Sequence, residues 1–248
     1  MQNNTPLFRY RIHLAYNGTR FFGWQIQPHQ ISVQECLTQA LEKIVKLSGA
    51  IVGAGRTDTG VHAHSFYVHF DCEYEIDTQT ITNKLNRMLP ADIVIFSITA
   101  VALDFHARFS AKKRKYRYTI TQTKNPFLQE TAYFFPFPLN IEVMNEACKL
   151  LIGTHDFTSF SKLHTDVTNN ICTIYSAQWQ KNGDVLEFYI EANRFLRNMV
   201  RAITGTLLDV GQEKIDIQEF QEIIAAKNRQ RAGQSIPACG LSLIDIEY

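Results

Sequence analysis

Strand-type and helix-type hydrophobic patterns alternate along this chain, and the alternation runs twice. Phe8–Tyr16 is aromatic and β-branched, with Gly18 as a turn signal, and reads as a strand. Val33–Leu47 places apolar residues at 33, 37, 40, 41, 44 and 45, the spacing of one helix face. Ser32 in front and Glu35 three residues on have the form of a capping box. Ser65–Asp71 alternates as a strand, Asp77–Leu89 reads as a helix stopped by Pro90, and Asp92–Val101 and Lys115–Thr123 read as strands. The second half repeats the plan. It has a helix near 140–152, strands near 171–181 and 184–192, helices at 195–208 and 216–227, and a closing strand at 241–248. Such alternation predicts an α/β (α+β) chain of two tandem subdomains, each a sheet with helices on one side. The joint is expected near 102–112 or in the Pro-containing stretch 124–140, dividing the chain into 1–104 and 105–248.

Composition narrows the function classes. Of 248 residues, 45% are hydrophobic and 20% charged, which excludes a disordered or collagen-like chain. No apolar run reaches the ~18–20 residues that span a bilayer, and the opening MQNNTPLFRYR lacks the apolar core of a signal peptide. Five cysteines lie scattered, with no metal-knuckle spacing, as expected of small apolar side chains in a reducing cytoplasm.

Net charge is +1, but the charges are segregated. Residues 105–129 hold seven basic residues and no acid, 192–208 hold Arg194, Arg197 and Arg201 and no acid, and 223–244 hold Lys227, Arg229 and Arg231 and no acid. Segregated charge makes a local field that attracts phosphate backbone. Solvated faces of an ordinary enzyme would look the same, and charge alone leaves both readings open.

The stretch Gly53–His64 carries the chemistry. Three glycines in eight residues form a loop that presents one carboxylate, Asp58, with Arg56 beside it. A carboxylate on a tight loop can be a nucleophile, a general base or a metal ligand, or an Asx turn bonded to its own backbone. Asp58-Thr59-Gly60 is also the aspartic-protease tripeptide. That chemistry needs two carboxylates sharing a proton, and the only loose partner is Asp209 in Leu208–Gly211. His62 and His64 share a strand face, but no third ligand stands at metal-site spacing, so no metal is expected. There is no Gly-Lys-Ser/Thr or Gly-x-Gly-x-x-Gly loop for a nucleotide cofactor.

Two further segments bear on nucleic acid. In Lys112–Tyr118, Tyr116 and Tyr118 share one strand face while Lys115 and Arg117 share the other. Rings interleaved with cations suit flipped or single-stranded nucleotides; core-facing tyrosines with lysines guarding a sheet edge would show the same pattern. In the helix expected at 195–208, about 100° per residue places Arg194, Arg197 and Arg201 within roughly 60° of arc, opposite the apolar side.

Taken in order, these residues resemble the tRNA pseudouridine synthase A family. The resemblance runs through Tyr16-Asn17-Gly18, Gly23-Trp24-Gln25, Ser32–Glu35, Gly55-Arg56-Thr57-Asp58-x-Gly60-Val61-His62-Ala63, Asn86–Ile93 and Phe105–Ala111. It continues through Tyr116–Tyr118, Gly153–Phe160, Met199–Gly205 and Gly240–Leu243. Arg197 stands where the family commonly has an aromatic residue, and Cys239 and Ser242 also depart from its usual pattern. The resemblance implies an extended mixed, mainly antiparallel sheet flanked by helices, the two subdomains being ferredoxin/RRM-like. It implies isomerisation of uridine to pseudouridine at positions 38, 39 and/or 40 of the tRNA anticodon stem-loop, by a cytoplasmic homodimer without metal or cofactor. Asp58 would be the nucleophile, Tyr116 would pack on the flipped base, and Arg201 would be the ion-pair partner of Asp58. Arg56, Arg108, Lys115 and Arg197 would contact RNA. A non-catalytic RNA-binding module of the same fold is the alternative.

Overall fold

The structure is a computed structural model that describes residues 7–162 and 169–248. The chain divides into two compact units. One runs to Lys112 and takes in Leu243–Tyr248; the other is Lys113–Ser242.

The first unit contains, in chain order, a strand Phe8–Tyr16 (β1), a helix Val33–Glu42 (α1), a short strand Val52–Gly53 (β2), a strand His62–Cys72 (β3), a helix Thr78–Met88 (α2) and a strand Ile93–Val101 (β4). The strand order is β4-β1-β3-β2, and each pairing is antiparallel. This is the split βαβ arrangement in which both helices cover one face. That face carries Tyr10, Ile12, Leu14 and Tyr16 of β1 and Phe66, Val68 and Phe70 of β3, all buried. The helices bring Val33, Leu37, Leu41, Ile81 and Leu85. Both begin at a side-chain cap: Ser32 Oγ accepts from the Glu35 amide, and Asp77 Oδ1 accepts from the amides of Gln79 and Thr80. Only the hydroxyl half of the expected box forms at α1, because the Glu35 carboxylate receives Gln39 Nε2 at 3.5 Å.

Helix α1 ends at Glu42, short of Leu47. The following residues are drawn to the end of β3: the Lys46 amide donates to the Tyr74 hydroxyl (2.9 Å) and the Ser48 amide to Asp71 O (2.7 Å). The opposite face of the sheet is polar. Arg9 forks onto Asp71 with two contacts of 2.7 Å. The Arg11 guanidinium lies 5.2 to 5.8 Å from the rings of Tyr67, Phe105 and Tyr248, and His13 stacks on Tyr67 at 4.6 Å.

The second unit has a strand Lys113–Thr121 (β5), a short strand Tyr133–Phe134 (β6), a helix Ile141–Lys149 (α3), and strands Gly153–Asp156 (β7), Ile171–Asn182 (β8) and Val185–Ala192 (β9). Helices Met199–Gly211 (α4) and Ile217–Ala226 (α5) follow, and a last strand Leu241–Glu247 (β10) returns from Leu243 onward to the first unit. The order is β5-β9-β8-β7, antiparallel, with β6 parallel to β5. Trp179 stacks on Phe188 at 5.2 Å, and Phe157, Phe160 and Phe220 form a ring chain under α5. Asp216 and Glu219 close a complete capping box on α5. The fold is therefore α+β, with mixed, mainly antiparallel strands flanked by helices.

The expected helix at 195–208 is corrected. Helix α4 starts at Met199 and runs to Gly211. Asn198 takes a left-handed φ of 67°, which an asparagine tolerates and which no α-helix continues through. Arg194 and Arg197 therefore lie in the preceding loop, and the three-arginine stripe does not exist. Nor is α4 amphipathic: all but Arg201 and Asp209 of its 13 residues are buried. Thr204 and Thr206 enter this apolar setting because their hydroxyls donate to the carbonyls of Val200 and Ala202.

Among the described residues no helix is long and apolar enough to cross a membrane. Cys72, Cys148 and Cys172 are buried, and burial pushes the Cys172 thiol to about 11.

Candidate active site

The Asp58 loop is held almost entirely by backbone groups. The Ala54 amide donates to Tyr67 O (2.8 Å), which extends the β2–β3 pairing to the edge of the loop. At the far end the Val61 amide donates to Asp58 O at 3.1 Å, closing a turn whose third residue, Gly60, has φ 77°. The segment before α1 forms the support. Gly23 has φ 83°, and a Cβ there would stand 2.4 Å from Thr57 O; its neighbour Trp24 donates its amide to that same carbonyl at 3.2 Å. Under the loop, the Tyr16 and Thr57 hydroxyls are 2.9 Å apart, and Trp24 packs on Phe66 at 4.4 Å. Gln34 ties the pieces together: its Oε1 accepts from the Ile26 amide and its Nε2 donates to Ile51 O, each at 3.2 Å.

This explains the order of residues. Thr57 is buried as the anchor, Asp58 is half-buried, and Arg56 and Thr59 are exposed. Backbone bonds thus hold the loop with Asp58 half-buried between Thr57 and the exposed Thr59.

His62 belongs to the scaffold. It is 4% exposed, and its Nδ1 accepts the Gly18 amide at 3.0 Å, while His64 is exposed. Among the described residues no three His, Cys, Asp or Glu side chains group closely enough to hold a metal ion. Asp209, the loose partner of the protease tripeptide, sits in α4 with Lys214 Nζ at 3.7 Å.

The second unit carries Tyr116 and Arg201. Tyr116 lies on β5 and meets the ring of Phe195 edge-on at 5.2 Å. Two residues on and on the same face, the buried Tyr118 hydroxyl donates to Pro237 O at 2.7 Å. Arg201, in the first turn of α4, donates Nε to Ile236 O at 2.7 Å. Two consecutive carbonyls of one extended segment, 232–237, thus accept from the strand of Tyr116 and from Arg201. Sequence reasoning passed over this segment. Its one signal was Gly205 inside the helical pattern, which marks a close approach of another backbone.

The expected RNA contacts lie on different elements. Lys115 is on the face of β5 opposite Tyr116, with its ammonium 5.6 Å from the Tyr189 ring. Arg197 is exposed in the loop before α4. Arg108 is exposed on the 105–111 turn, its guanidinium 5.4 Å from the ring of Phe109. That turn is anchored at Ala107, fully buried, whose amide donates to His69 Nδ1 (3.1 Å) and whose carbonyl accepts from the Tyr248 hydroxyl (2.8 Å).

His69 must be neutral to accept the Ala107 amide. Burial first, then the charges of Arg9 and His106, lower it from 6.5 to about 4. An unfolded chain therefore binds this proton at a higher pH than the folded one. The neutral histidine's stability is fully present above about 6.5 and is lost as pH falls toward about 4. The unfolding free energy of the native chain relative to a His69→Asn variant is expected to shrink by on the order of 2 kcal/mol across that window. Urea unfolding at a series of pH values measures it, and parallel curves would refute it.

Against known proteins, the family model described as tRNA pseudouridine synthase matches residues 13–110 and 147–248. Relatives called tRNA pseudouridine synthase A include one from Parabacteroides distasonis, 51% identical over 241 residues, covering 97% of this chain and 96% of the relative. One from Bacteroides fragilis is 50% identical with 97% and 96% covered, and one from a Geobacillus strain is 44% identical with 97% and 98% covered. With a carboxylate loop built as described and likeness along almost its whole length, the chain belongs to the tRNA pseudouridine synthase family.

Proposed function

We propose that this chain isomerises uridine to pseudouridine in tRNA, at positions 38, 39 and/or 40 of the anticodon stem-loop. The reaction breaks the N1–C1′ bond, turns the uracil and joins C5 to C1′. C5 loses a proton and N1 gains one, so nothing is oxidised and neither metal nor cofactor is required. The observation that carries the reading is the Asp58 loop: its backbone is braced on both sides of one half-buried carboxylate, which a loop built merely to grip phosphate would not gain from.

In this reading Asp58 is the nucleophile. Arg201 is its ion-pair partner, as the family resemblance implies. Tyr116 packs on the displaced base, whose extrusion costs a few kcal/mol. Arg56 holds the flipped nucleotide, and Arg108, Lys115 and Arg197 contact the RNA backbone. Residues 1–104 carry the nucleophile and 105–248 carry the ring and the guanidinium. The enzyme works as a homodimer in the cytoplasm.

Pseudouridine mapping of total tRNA from cells lacking the gene tests the site choice. Loss confined to positions 38–40, restored by the cloned gene, is the expected result. An unchanged map, or loss elsewhere, would overturn it.

A further inference from the structure

The segment 232–237 runs along α4. The Gly233 amide donates to Thr206 Oγ1 at 2.9 Å, and the Asn198 amide group donates to Ser235 Oγ. Ile236 exchanges both backbone groups with Arg201: its amide donates to Arg201 O (3.4 Å), and its carbonyl accepts Arg201 Nε (2.7 Å). The Nε edge of the Arg201 guanidinium is therefore tied to Ile236.

What shapes the segment is Arg229, in the short turn Arg229–Arg231 after α5. Its Nη1 donates to Ala232 O (3.2 Å) and Gly233 O (3.0 Å), and its Nη2 donates to Ser235 Oγ (2.9 Å). One planar fork thus gathers three oxygens within four residues, a geometry that a lysine's point charge cannot reproduce. The guanidinium is half-buried, and its partners are two carbonyls and a hydroxyl; among the described residues no carboxylate pairs with it. Placing a cation there without a counter-charge is costly, and burial lowers its pKa accordingly. Solubility or a surface ion pair would not call for it.

We propose that Arg229 is a positioning residue for catalysis: its fork fixes the 232–235 turn, and through Ile236 this holds Arg201 in its working orientation. The proposal rests on the assignment of Arg201 given above. Arg229 touches no reacting atom; it acts through the segment. A direct phosphate contact by Arg229 would instead weaken tRNA binding.

The test is a double-mutant cycle on the full chain with tRNA substrate, using Arg229→Lys, Arg201→Lys and both together, with Ser235→Ala as a milder disruption of the same turn. Arg229→Lys is expected to lower kcat by about 10- to 100-fold, as small misplacements do, with KM for tRNA within about twofold. Ser235→Ala should move kcat in the same direction by less. The double variant should be no slower than Arg201→Lys alone, because both changes disable one device; a fold that was merely loosened would multiply the losses. Raised KM with kcat kept, or multiplied losses, would overturn the role of Arg229 while leaving Arg201 assigned. Full activity in Arg201→Lys would overturn the assignment of Arg201 itself, and this proposal with it.

Discussion

Asp58→Asn is expected to lower pseudouridine formation by a factor of about 10⁴ or more, as loss of a nucleophile does, while tRNA affinity stays within a few-fold of the native value. The substitution is nearly isosteric, and the backbone contacts that brace the loop are kept. Val61 donates to the Asp58 carbonyl, Trp24 donates to the Thr57 carbonyl, and Tyr16 meets the Thr57 hydroxyl. Asparagine also suits turns as aspartate does. The loop's backbone frame and the RNA contacts should therefore survive the loss of the nucleophile. Pseudouridine formed on an anticodon-arm RNA, measured beside filter binding of the same RNA, separates the two quantities. Turnover near the native rate by this variant would falsify the catalytic assignment. A native chain that binds RNA without any turnover would favour the non-catalytic module.

The second large effect is on stability. Gly205→Ala is a change that helix propensity favours by about 1 kcal/mol. Here the sign reverses. Gly205 lies inside α4, fully covered by the 232–237 segment, and a Cβ would stand 1.9 Å from Gln234 O and 3.3 Å from Ile236 Cγ2. The obstacle is backbone, tied by Gly233 to Thr206 and by Ile236 to Arg201, so it cannot swing aside as a side-chain tip would. Forced overpacking costs typically ~1–3 kcal/mol, and displaced hydrogen bonds add about 1 kcal/mol each. A net loss of about 2–4 kcal/mol is expected on this account. Equilibrium urea denaturation checks it; a midpoint equal to or above that of the native chain would show that the segment does not bear on α4. Where the folded variant persists, kcat should fall as well, because Ile236 moves with the segment.

Much of the architecture was legible because it is written in short-range terms. The period of β1 is visible in Phe8–Tyr16, and the Ser32 cap sits where α1 begins. Caps and periodicity depend on neighbours a few residues away, so a sequence displays them directly. The Asp58 loop was legible for the same reason: its glycines and its carboxylate are contiguous. What supports that loop was less so. Gly23, Trp24 and Gln34 belong to recognised motifs, but their role as a brace emerges only when α1 folds against them.

Helix α4 shows the limit most clearly. Its apolar spacing extends back to Phe195, so periodicity alone starts it too early. Its actual start is decided at Asn198, whose left-handed backbone is accompanied by a side-chain bond to Ser235, 37 residues away. The same distant segment accepts Nε of Arg201 and is the reason Gly205 must be glycine. By itself the sequence determined the alternation of elements, the Ser32 cap and the contiguous loop that bears the carboxylate. Only the tertiary structure decided where α4 begins, which arginine it carries, and what clamps that arginine, because those outcomes rest on hydrogen bonds and steric contacts between residues far apart along the chain.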